Sequence, residues 1–214
     1  MDLVRILACG VVGYGIGSIS SGYLVGRLYR NVDLRTVGSG STGATNTFRT
    51  LGLGAALLVA ILDILKGALS VWIASVIVAG SGDERTLGAA VAAVAAVAGH
   101  CWPAFLEGRG GRGVATGFGA LLFIATPAWL GAVVAFMLAL AVTRMVSVSS
   151  LASVAGALVG YIIFVFAGYL EFHWAVLGFI LIAGSIVTIR HRANIERILR
   201  GSEPRLGQRR SPST

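Results

Sequence analysis

The sequence predicts an all-α protein that crosses a membrane several times and forms one embedded unit. Of its 214 residues, 56% are apolar and only 12% are charged, whereas a soluble domain carries roughly 25% charged residues. The mean hydropathy is +0.86, and both cysteines, Cys9 and Cys101, fall inside apolar stretches. A spanning helix needs about 20 apolar residues, so a chain of this length with short loops holds about seven spans. These properties exclude a water-soluble domain, a disordered chain and a disulfide-stapled secreted fold.

Six apolar segments are long enough to be membrane spans, and one of them is ambiguous. The first is too long for a secretory signal and lacks a persuasive cleavage site, so we count it as a span. The fourth contains Thr126-Pro127, and proline disfavours helix at the residue before it. It is therefore either one tilted helix or two short helices that fold back at this point. The segments are 3–28, 51–79, 87–105, 114–143, 146–169 and 172–189.

The distribution of basic residues decides between these two arrangements. If segment 114–143 crosses twice, every basic residue except Arg5, Lys66 and Arg85 lies on one side of the membrane. If it crosses once, the arginine-rich C-terminal part lies opposite the first two basic loops. Cytoplasmic loops carry an excess of Lys and Arg, so we expect the double crossing. The sequence thus predicts seven transmembrane helices, an external N-terminus and a cytoplasmic C-terminus.

The basic residues indicate a membrane surface, and not a nucleic acid, as the partner of this chain. The formal net charge is +8, but there is no nucleic-acid motif and no basic stripe interleaved with aromatic residues. We expect residues 1–200 to form a single membrane-embedded domain. Residues 201–214 are expected to be a disordered basic tail, whose arginines only attract the chain to anionic lipid.

The first predicted cytoplasmic loop, residues 33–49, is a candidate phosphate site. Its glycines allow backbone angles closed to other residues, so that consecutive N–H groups can converge on an anion. Hydroxyl side chains and an arginine add donors that a phosphate accepts. The alternative is a flexible, solvated turn, because the GxGxxG pattern follows a membrane helix and not a strand. The candidate residues are Gly38, Ser39, Gly40, Ser41, Thr45, Asn46 and Arg49.

A second glycine-rich loop, residues 108–113, leads directly into the next apolar segment. Its glycines would form a backbone nest at a helix N-terminus, where the helix dipole favours an anion. No Lys-Ser/Thr pair follows, so it is not a P-loop. The alternative is a positively charged membrane anchor with glycines for flexibility. The candidate ligands are Gly110, Gly111, Arg112 and Gly113.

The third candidate element follows the last apolar segment. His191 and Asn194 are three residues apart, which places them on one face of a helix. Histidine titrates near neutrality, so His191 is a candidate general base or phosphate donor. The alternative is a basic interfacial helix in which His191 has no role. All three elements suit an anion and are expected on the same membrane face, so together they indicate an anion-binding site more strongly than any one of them does.

Polar residues inside the predicted spans have a less specific interpretation. Asp63 and Lys66 are three residues apart on the second span and are expected to form an ion pair, more often structural than part of an ion pathway. His100, at the cytoplasmic end of the third span, is a weaker candidate for contact with a ligand. No His/Cys/Asp/Glu cluster has the spacing of metal ligands, so neither a metal nor a cofactor is expected.

The motifs together resemble the bacterial membrane glycerol-3-phosphate acyltransferase family that uses acyl phosphate as donor, the PlsY family. The resemblance covers nearly the whole chain. It is carried by Gly17-Ser18-Ile19, Gly22-Tyr23-Leu24, Asp33-Leu34-Arg35, Gly38-Ser39-Gly40, Gly43-Ala44-Thr45-Asn46, Arg49, Leu62-Asp63-Ile64-Leu65-Lys66-Gly67, Gly99-His100, Pro103, Gly110-Gly111, Gly113-Val114-Ala115-Thr116, Arg144, Val146-Ser147, Arg190-His191-Arg192 and Asn194-Ile195. The chain departs from the family's usual Pro, Asn, Lys and Glu at Ser20, Ser41, Arg112 and Ala193.

The resemblance implies acyl transfer from acyl phosphate to the sn-1 hydroxyl of glycerol 3-phosphate, without a metal or cofactor. It implies catalytic roles for Ser39, His191 and Asn194 and substrate binding by Arg49 and Arg112. It also implies the family's seven-helix fold, in the bacterial inner membrane, with the active site facing the cytoplasm. The expected partners are acyl phosphate, glycerol 3-phosphate, the lipid bilayer and the enzyme that forms acyl phosphate.

Two other function classes remain open at this point. A polyprenyl-phosphate transferase would also place anion-binding loops at the cytoplasmic face, but such enzymes usually need Mg²⁺ held by acidic residues, which are few here. An anion transporter would need a polar path across the bilayer, whereas the external turns contain few charged residues. A metal-free acyl-transfer assay distinguishes these classes.

Overall fold

The predicted all-α architecture is confirmed. The computed structural model describes residues 2–79 and 82–207, which are 76% helical and contain no strand. A short 3-10 turn at Ala104–Leu106 follows the fifth helix. The α-helices are α1 Leu3–Ser18, α2 Ser21–Arg30, α3 Ala44–Leu51, α4 Leu53–Ile77, α5 Asp83–Cys101, α6 Val114–Ile124, α7 Thr126–Thr143, α8 Val146–Phe166, α9 Trp174–Arg190 and α10 Arg192–Leu199.

Several helices are long and apolar enough to cross a membrane, which confirms a multi-pass membrane protein. Helices α9 and α10 meet that criterion only together and are bent by 61° where they join. Helix α6 is apolar but has only 11 residues. The predicted count of seven spans includes α6 and α9 as separate spans, so it stays a prediction. The five segments that qualify individually are Leu3–Arg30, Leu53–Ile77, Asp83–Leu106, Thr126–Thr143 and Val146–Phe166.

The predicted break within segment 114–143 is present, at Ala125. Helix α6 ends at Ile124 and α7 begins at Thr126, with Pro127 in its first turn, where a missing N–H costs no helical hydrogen bond. Val114 at the start of α6 and Val146 just after α7 line the same cavity. The α6–α7 pair therefore leaves one face of the bundle and returns to it; that it crosses the membrane twice stays a prediction.

The first apolar segment is interrupted, which the sequence did not predict. Helix α1 ends at Ser18 and α2 begins at Ser21, while Ile19 and Ser20 are extended. The interruption releases the Ile19 carbonyl from helical hydrogen bonding. The Lys66 ammonium of α4 donates to that carbonyl at 3.1 Å, so the break supplies a partner for a buried charge.

Glycines bring α4 and α6 into close contact. Gly67 of α4 lies against the carbonyl of Thr116, and Gly119 of α6 lies against the carbonyl of Ile64, so that a methyl group on either glycine would overlap backbone. Small residues allow such approach of helices in a membrane, where van der Waals packing drives association. The contact places the face of α4 that carries Asp63 beside the helix that follows the glycine-rich loop.

The described part of the C-terminal segment packs against the protein. The Glu203 side chain is buried, and the N–H of Leu206 donates to the carbonyl of Arg144 at 2.7 Å. Residues 201–207, assigned from the sequence to a disordered tail, are thus held by specific contacts. Residues 208–214 of that predicted tail lie outside the described residues.

Candidate active site

The three predicted loop elements meet at one end of the helix bundle around two adjoining cavities. One is polar, with a volume of about 1030 Å³, and the other is mostly apolar, with a volume of about 340 Å³. Four residues line both, namely Ser39, Ser41, Arg49 and Arg112. We call them the polar arm and the apolar arm of one site.

The polar arm is strongly cationic. Six arginines line it, and Glu203 is the acidic residue among its lining groups. These charges come from the first loop, the glycine-rich loop and the C-terminal segment, which are far apart in the chain. The arm thus has the charge of a site for more than one anionic group. Its arginines are Arg49, Arg112, Arg190, Arg192, Arg197 and Arg205.

The apolar arm runs between α4, α6, α7 and α8. Its far wall is made of Phe118, Val133, Phe136 and Met137, and the rings of Phe118 and Phe136 meet edge to face at 6.0 Å. Met137 is 57% exposed on the outside of the bundle, so this wall is also part of the lipid-facing surface. The arm has the lining and the position of a site for a hydrocarbon chain.

Nearly all predicted site residues line this site. The polar arm contains Gly38, Gly40, Gly110 and Asn194, and the apolar arm contains Thr45, Asn46, Gly113 and His191, in addition to Ser39, Arg49 and Arg112 at the junction. Gly111 does not line either arm and lies instead against the ring of His100.

The first loop is organised by the side chain of Asn46. Its amide oxygen accepts from the N–H of Ser39 at 2.9 Å, and its amide nitrogen donates to the carbonyls of Leu34, Val37 and Ser41 at 3.1, 3.0 and 2.9 Å. These bonds use the donors and the acceptor of the amide within the loop. Asn46 therefore positions the loop, a different role from the direct substrate contact predicted for it.

The glycines of this loop also serve its folding. Gly38 and Gly40 have left-handed φ values of 63° and 69°, and a methyl group on Gly38 would overlap the Asn46 amide oxygen. The N–H of Gly40 donates to the Val37 carbonyl at 3.1 Å. The N–H groups of Ser39 and Gly40 are therefore used inside the loop and do not form a backbone nest for an anion. The side chains at the junction are placed to contact an anion instead.

The glycine-rich loop is fixed between the ends of α5 and α9. The N–H of Gly111 donates to the His100 carbonyl at 3.0 Å. The Arg190 guanidinium donates to the carbonyls of Gly111 and Gly110 at 3.1 and 3.2 Å and lies 5.7 Å from the centre of the Trp102 ring. The loop is thus a rigid connection, and Gly111, predicted to bind phosphate, directs its N–H into the protein.

Arg112 leaves this rigid loop for the junction of the two arms. Burial lowers the pKa of its guanidinium to about 10; the charge of Glu203 opposes this lowering, and the charges of Arg197, Arg49 and Arg190 add to it. The side chain is still charged at neutral pH. Within the described residues it forms no hydrogen bond or ion pair. An anion is the ligand that would satisfy it.

His191 is buried where α9 meets α10. Its Nδ1 lies 2.8 Å from the Val187 carbonyl, to which it can only donate, so Nε2 carries the lone pair of the neutral ring. Burial lowers the pKa of His191 to about 4, although the Val187 carbonyl opposes this, and the charges of Arg112 and Arg190 lower it further. His191 is therefore neutral at pH 7 and offers an acceptor to the cavity it lines.

Glu203 joins α10 to the C-terminal segment and was missed in the sequence. It accepts from the Asn194 amide at 2.6 Å and from the Arg197 guanidinium at 2.7 Å. Burial opposes its ionisation, but these hydrogen bonds outweigh burial and lower the pKa of Glu203. Glu203 fixes the orientation of the Asn194 amide at the wall of the polar arm. Glu203 is the one carboxylate in the basic sequence 201–214, and this isolation could have marked it as a partner for the neighbouring arginines.

The pair predicted between Asp63 and Lys66 is present, and His100 joins it. Lys66 Nζ lies 2.9 Å from Asp63 Oδ1 and 2.8 Å from His100 Nδ1, and all three side chains are buried. Asp63 and His100 line the apolar arm; contact of His100 with a ligand stays a prediction. Among the described residues, no group of three His, Cys, Asp or Glu side chains is arranged to hold a metal ion.

Comparison with known proteins finds relatives over nearly the whole chain. The sequence model of the family described as glycerol-3-phosphate acyltransferase matches residues 7–201. Glycerol-3-phosphate acyltransferases of Synechococcus elongatus and Parasynechococcus marenigrum are 43% and 42% identical, over 98% and 92% of this chain and 98% and 88% of theirs.

Solved structures show the same fold. The crystal structure of PlsY, an integral membrane glycerol 3-phosphate acyltransferase, in its glycerol 3-phosphate form is 33% identical, with a TM-score of 0.82 over 94% of this chain and 96% of that one. The lysophosphatidic acid form gives a TM-score of 0.80 at 32% identity, over 94% and 95% of the two chains. From the match of family, sequence and fold, the chain belongs to the PlsY family of integral membrane glycerol-3-phosphate acyltransferases.

Proposed function

We propose that this chain transfers a fatty acyl group from acyl phosphate to the sn-1 hydroxyl of glycerol 3-phosphate. The products are 1-acyl-glycerol 3-phosphate and inorganic phosphate, in the first step of phospholipid synthesis. The observation that carries this proposal is the union of a polar arm lined by six arginines with an apolar arm among the helices. Acyl phosphate has one phosphate and one hydrocarbon chain, and the acceptor adds a second phosphate.

The residues at the junction suit a reaction between two anions. Arg49 and Arg112 line both arms and would neutralise the phosphates that must approach each other. Ser39 adds a hydroxyl at the same place. An acyl phosphate is an activated anhydride, so holding the reactants close and stabilising the developing oxyanion supply most of the rate enhancement. Neither a metal nor a cofactor has a role in this scheme.

In the proposed step, the acceptor hydroxyl oxygen attacks the acyl carbonyl carbon, and the bond from that carbon to the phosphate oxygen breaks. His191 Nε2 accepts the hydroxyl proton and returns it to the departing phosphate. Bound phosphates would oppose the arginine charges that lower the His191 pKa, which makes it a better base in the loaded site. Asn194, oriented by Glu203, would donate to the acceptor phosphate.

We also propose that the site faces the cytoplasm of a bacterial inner membrane and that the chain crosses it seven times. The site end carries most of the arginines, whereas Arg85 lies with Phe123 and Ile124 at the far end of α6. This charge asymmetry supports a cytoplasmic site. The soluble acceptor would enter the polar arm, and the acyl-phosphate-forming enzyme would deliver the donor at the same membrane face.

Purified protein in liposomes, supplied with acyl phosphate and glycerol 3-phosphate in the presence of EDTA, tests the proposal. We expect 1-acyl-glycerol 3-phosphate and phosphate in equal amounts, and no comparable turnover with acyl-CoA. A requirement for Mg²⁺ together with polyprenyl phosphate would indicate the transferase alternative. Movement of phosphate across the membrane without ester formation would indicate a transporter.

A further inference from the structure

We propose that His100 is a catalytic residue whose Nε2–H donates a hydrogen bond to an oxygen of the bound acyl phosphate, and that Lys66 fixes the His100 tautomer that makes this possible. The inference rests on the proposed function and adds a substrate contact in the membrane-embedded wall of the site. Three buried side chains carry it, together with the backbone of the glycine-rich loop.

The tautomer follows from the chemistry of Lys66. A lysine ammonium has three donors and no acceptor. Its Nζ lies 3.1 Å from the Ile19 carbonyl, 2.9 Å from Asp63 Oδ1 and 2.8 Å from His100 Nδ1. At 2.8 Å from an ammonium, Nδ1 must accept, so it carries the lone pair. In a neutral ring the proton is then on Nε2.

Asp63 makes this arrangement stable. A buried cation needs a compensating charge, and the Asp63 carboxylate supplies it one helical turn before Lys66. Asp63 Oδ1 is 3.5 Å from His100 Nδ1, a contact that does not compete with the shorter bond from Lys66. The contact with Asp63 therefore holds the Lys66 side chain where Nζ meets His100 Nδ1.

The Nε2 edge of His100 is available at the site. Within residues 2–79 and 82–207, His100 Nε2 forms no hydrogen bond, although the residue lines the apolar arm. Gly111 lies over this edge, and a methyl group there would overlap Nε2, Cε1 and Cδ2. A side chain at position 111 would thus close off this nitrogen. An N–H at the cavity wall that has no acceptor within the protein is open to an acceptor on a ligand.

The two histidines of the site have complementary roles. His191 donates from Nδ1 to Val187 and offers a lone pair at Nε2, whereas His100 accepts at Nδ1 and offers a proton at Nε2. His191 therefore suits the attacking hydroxyl, whose proton it can accept, and His100 suits an oxygen that gains negative charge. His100 keeps its proton throughout the step, so the balance of the transfer reaction is unchanged.

Two substitutions separate this role from a structural one. The amide of His100→Asn reaches the position of Nδ1 and can accept from Lys66, but places no donor at Nε2. The amide of His100→Gln reaches the position of Nε2 and can donate there, but leaves Lys66 with one partner fewer. If His100 only packs and bonds to Lys66, the Asn variant should be the more active of the two. If His100 contacts the substrate through Nε2, the Gln variant should be the more active.

We expect His100→Asn to lower kcat and kcat/KM together by about 100- to 1000-fold, as for loss of one oxyanion donor, and His100→Gln to stay within about 10-fold of wild type. Ser70→Ala is the matched control. Ser70 is buried one turn after Lys66 on α4, its hydroxyl donates to the Lys66 carbonyl at 2.8 Å, and it lines neither arm. Equal activity of the Asn and Gln variants, or a more active Asn variant, overturns the inference while wild-type turnover preserves the proposed function. An inactive wild type overturns both.

A second measurement does not depend on the folding of any variant. In wild-type protein labelled with ¹⁵N-histidine, we expect the His100 Nε2 to be protonated and its proton resonance to move downfield when a non-hydrolysable acyl phosphonate is added. An unprotonated Nε2, or a resonance that the phosphonate leaves unchanged, contradicts the proposed contact.

Discussion

Replacement of Arg112 by alanine is the most direct test of the site. The guanidinium lies at the junction of the two arms, where the phosphates of donor and acceptor must come together. It leaves a loop held at both ends, so the substitution removes a charge without releasing the backbone. We therefore expect a loss of transition-state binding and no general unfolding.

The magnitude follows from the environment of the side chain. The lowering of the Arg112 pKa from 12.5 to about 10 corresponds to about 3 kcal/mol against the bare cation in this site, since one pKa unit is about 1.36 kcal/mol. An arriving phosphate would recover a free energy of this order. Hydrogen bonds to charged groups contribute about 1.5–3 kcal/mol in proteins. Arg112→Ala should therefore lower kcat/KM by about 10- to 150-fold.

The assay is acyl transfer by protein shown to be folded and inserted in liposomes. Arg200→Ala is the matched control, because this arginine is exposed just after α10 and does not line the polar arm. Arg112→Lys should retain more activity than the alanine variant, although lysine lacks the planar fork of arginine. Equal kcat/KM for the Arg112→Ala and Arg200→Ala variants would refute the reasoning and leave the loop as a membrane anchor.

Three further predictions follow from the same structure. Single cysteines at Arg109 and Arg200, on a cysteine-free background, should be labelled only from the cytoplasmic side of spheroplasts and one at Arg85 only from outside, and external labelling at Arg200 contradicts the topology. His191→Ala should lower kcat more than it raises KM; a rise in KM alone would make His191 a binding residue. The pKa of Glu203 in the folded protein is below the usual value for glutamate. The ionised carboxylate therefore stabilises the fold at any pH above the usual pKa, and this stabilisation is lost as the pH falls through the lowered pKa. The difference in Tm between wild type and Glu203→Gln should accordingly shrink on acidification, and a constant difference contradicts this role.

The sequence was sufficient for the features that composition and spacing control. Low charge and long apolar segments predicted the membrane helices, and Pro127 predicted the break between α6 and α7. The three loop elements were identified because their glycines, hydroxyl side chains, arginines and histidine are the groups that bind an anion. Their shared chemistry, and not their separation in the chain, predicted that they meet.

The remaining features depend on contacts that no local pattern encodes. The break at Ile19 has a partner in Lys66 that is 47 positions away. Asn46 looks like a ligand because it lies in a polar loop, yet its amide is used by backbone groups. Glu203 was placed in a disordered tail because its neighbours are polar, whereas its two partners on α10 bury it.

The exposure of Met137 has a consequence for how the products of the proposed reaction would leave. Since the apolar wall is also lipid-facing surface, a lipid product can depart sideways into the bilayer, while phosphate would depart through the arginine-lined arm into water. Neither product then has to pass the other on its way out. The site would empty by two parallel routes, and slow departure of the lipid would not delay the phosphate.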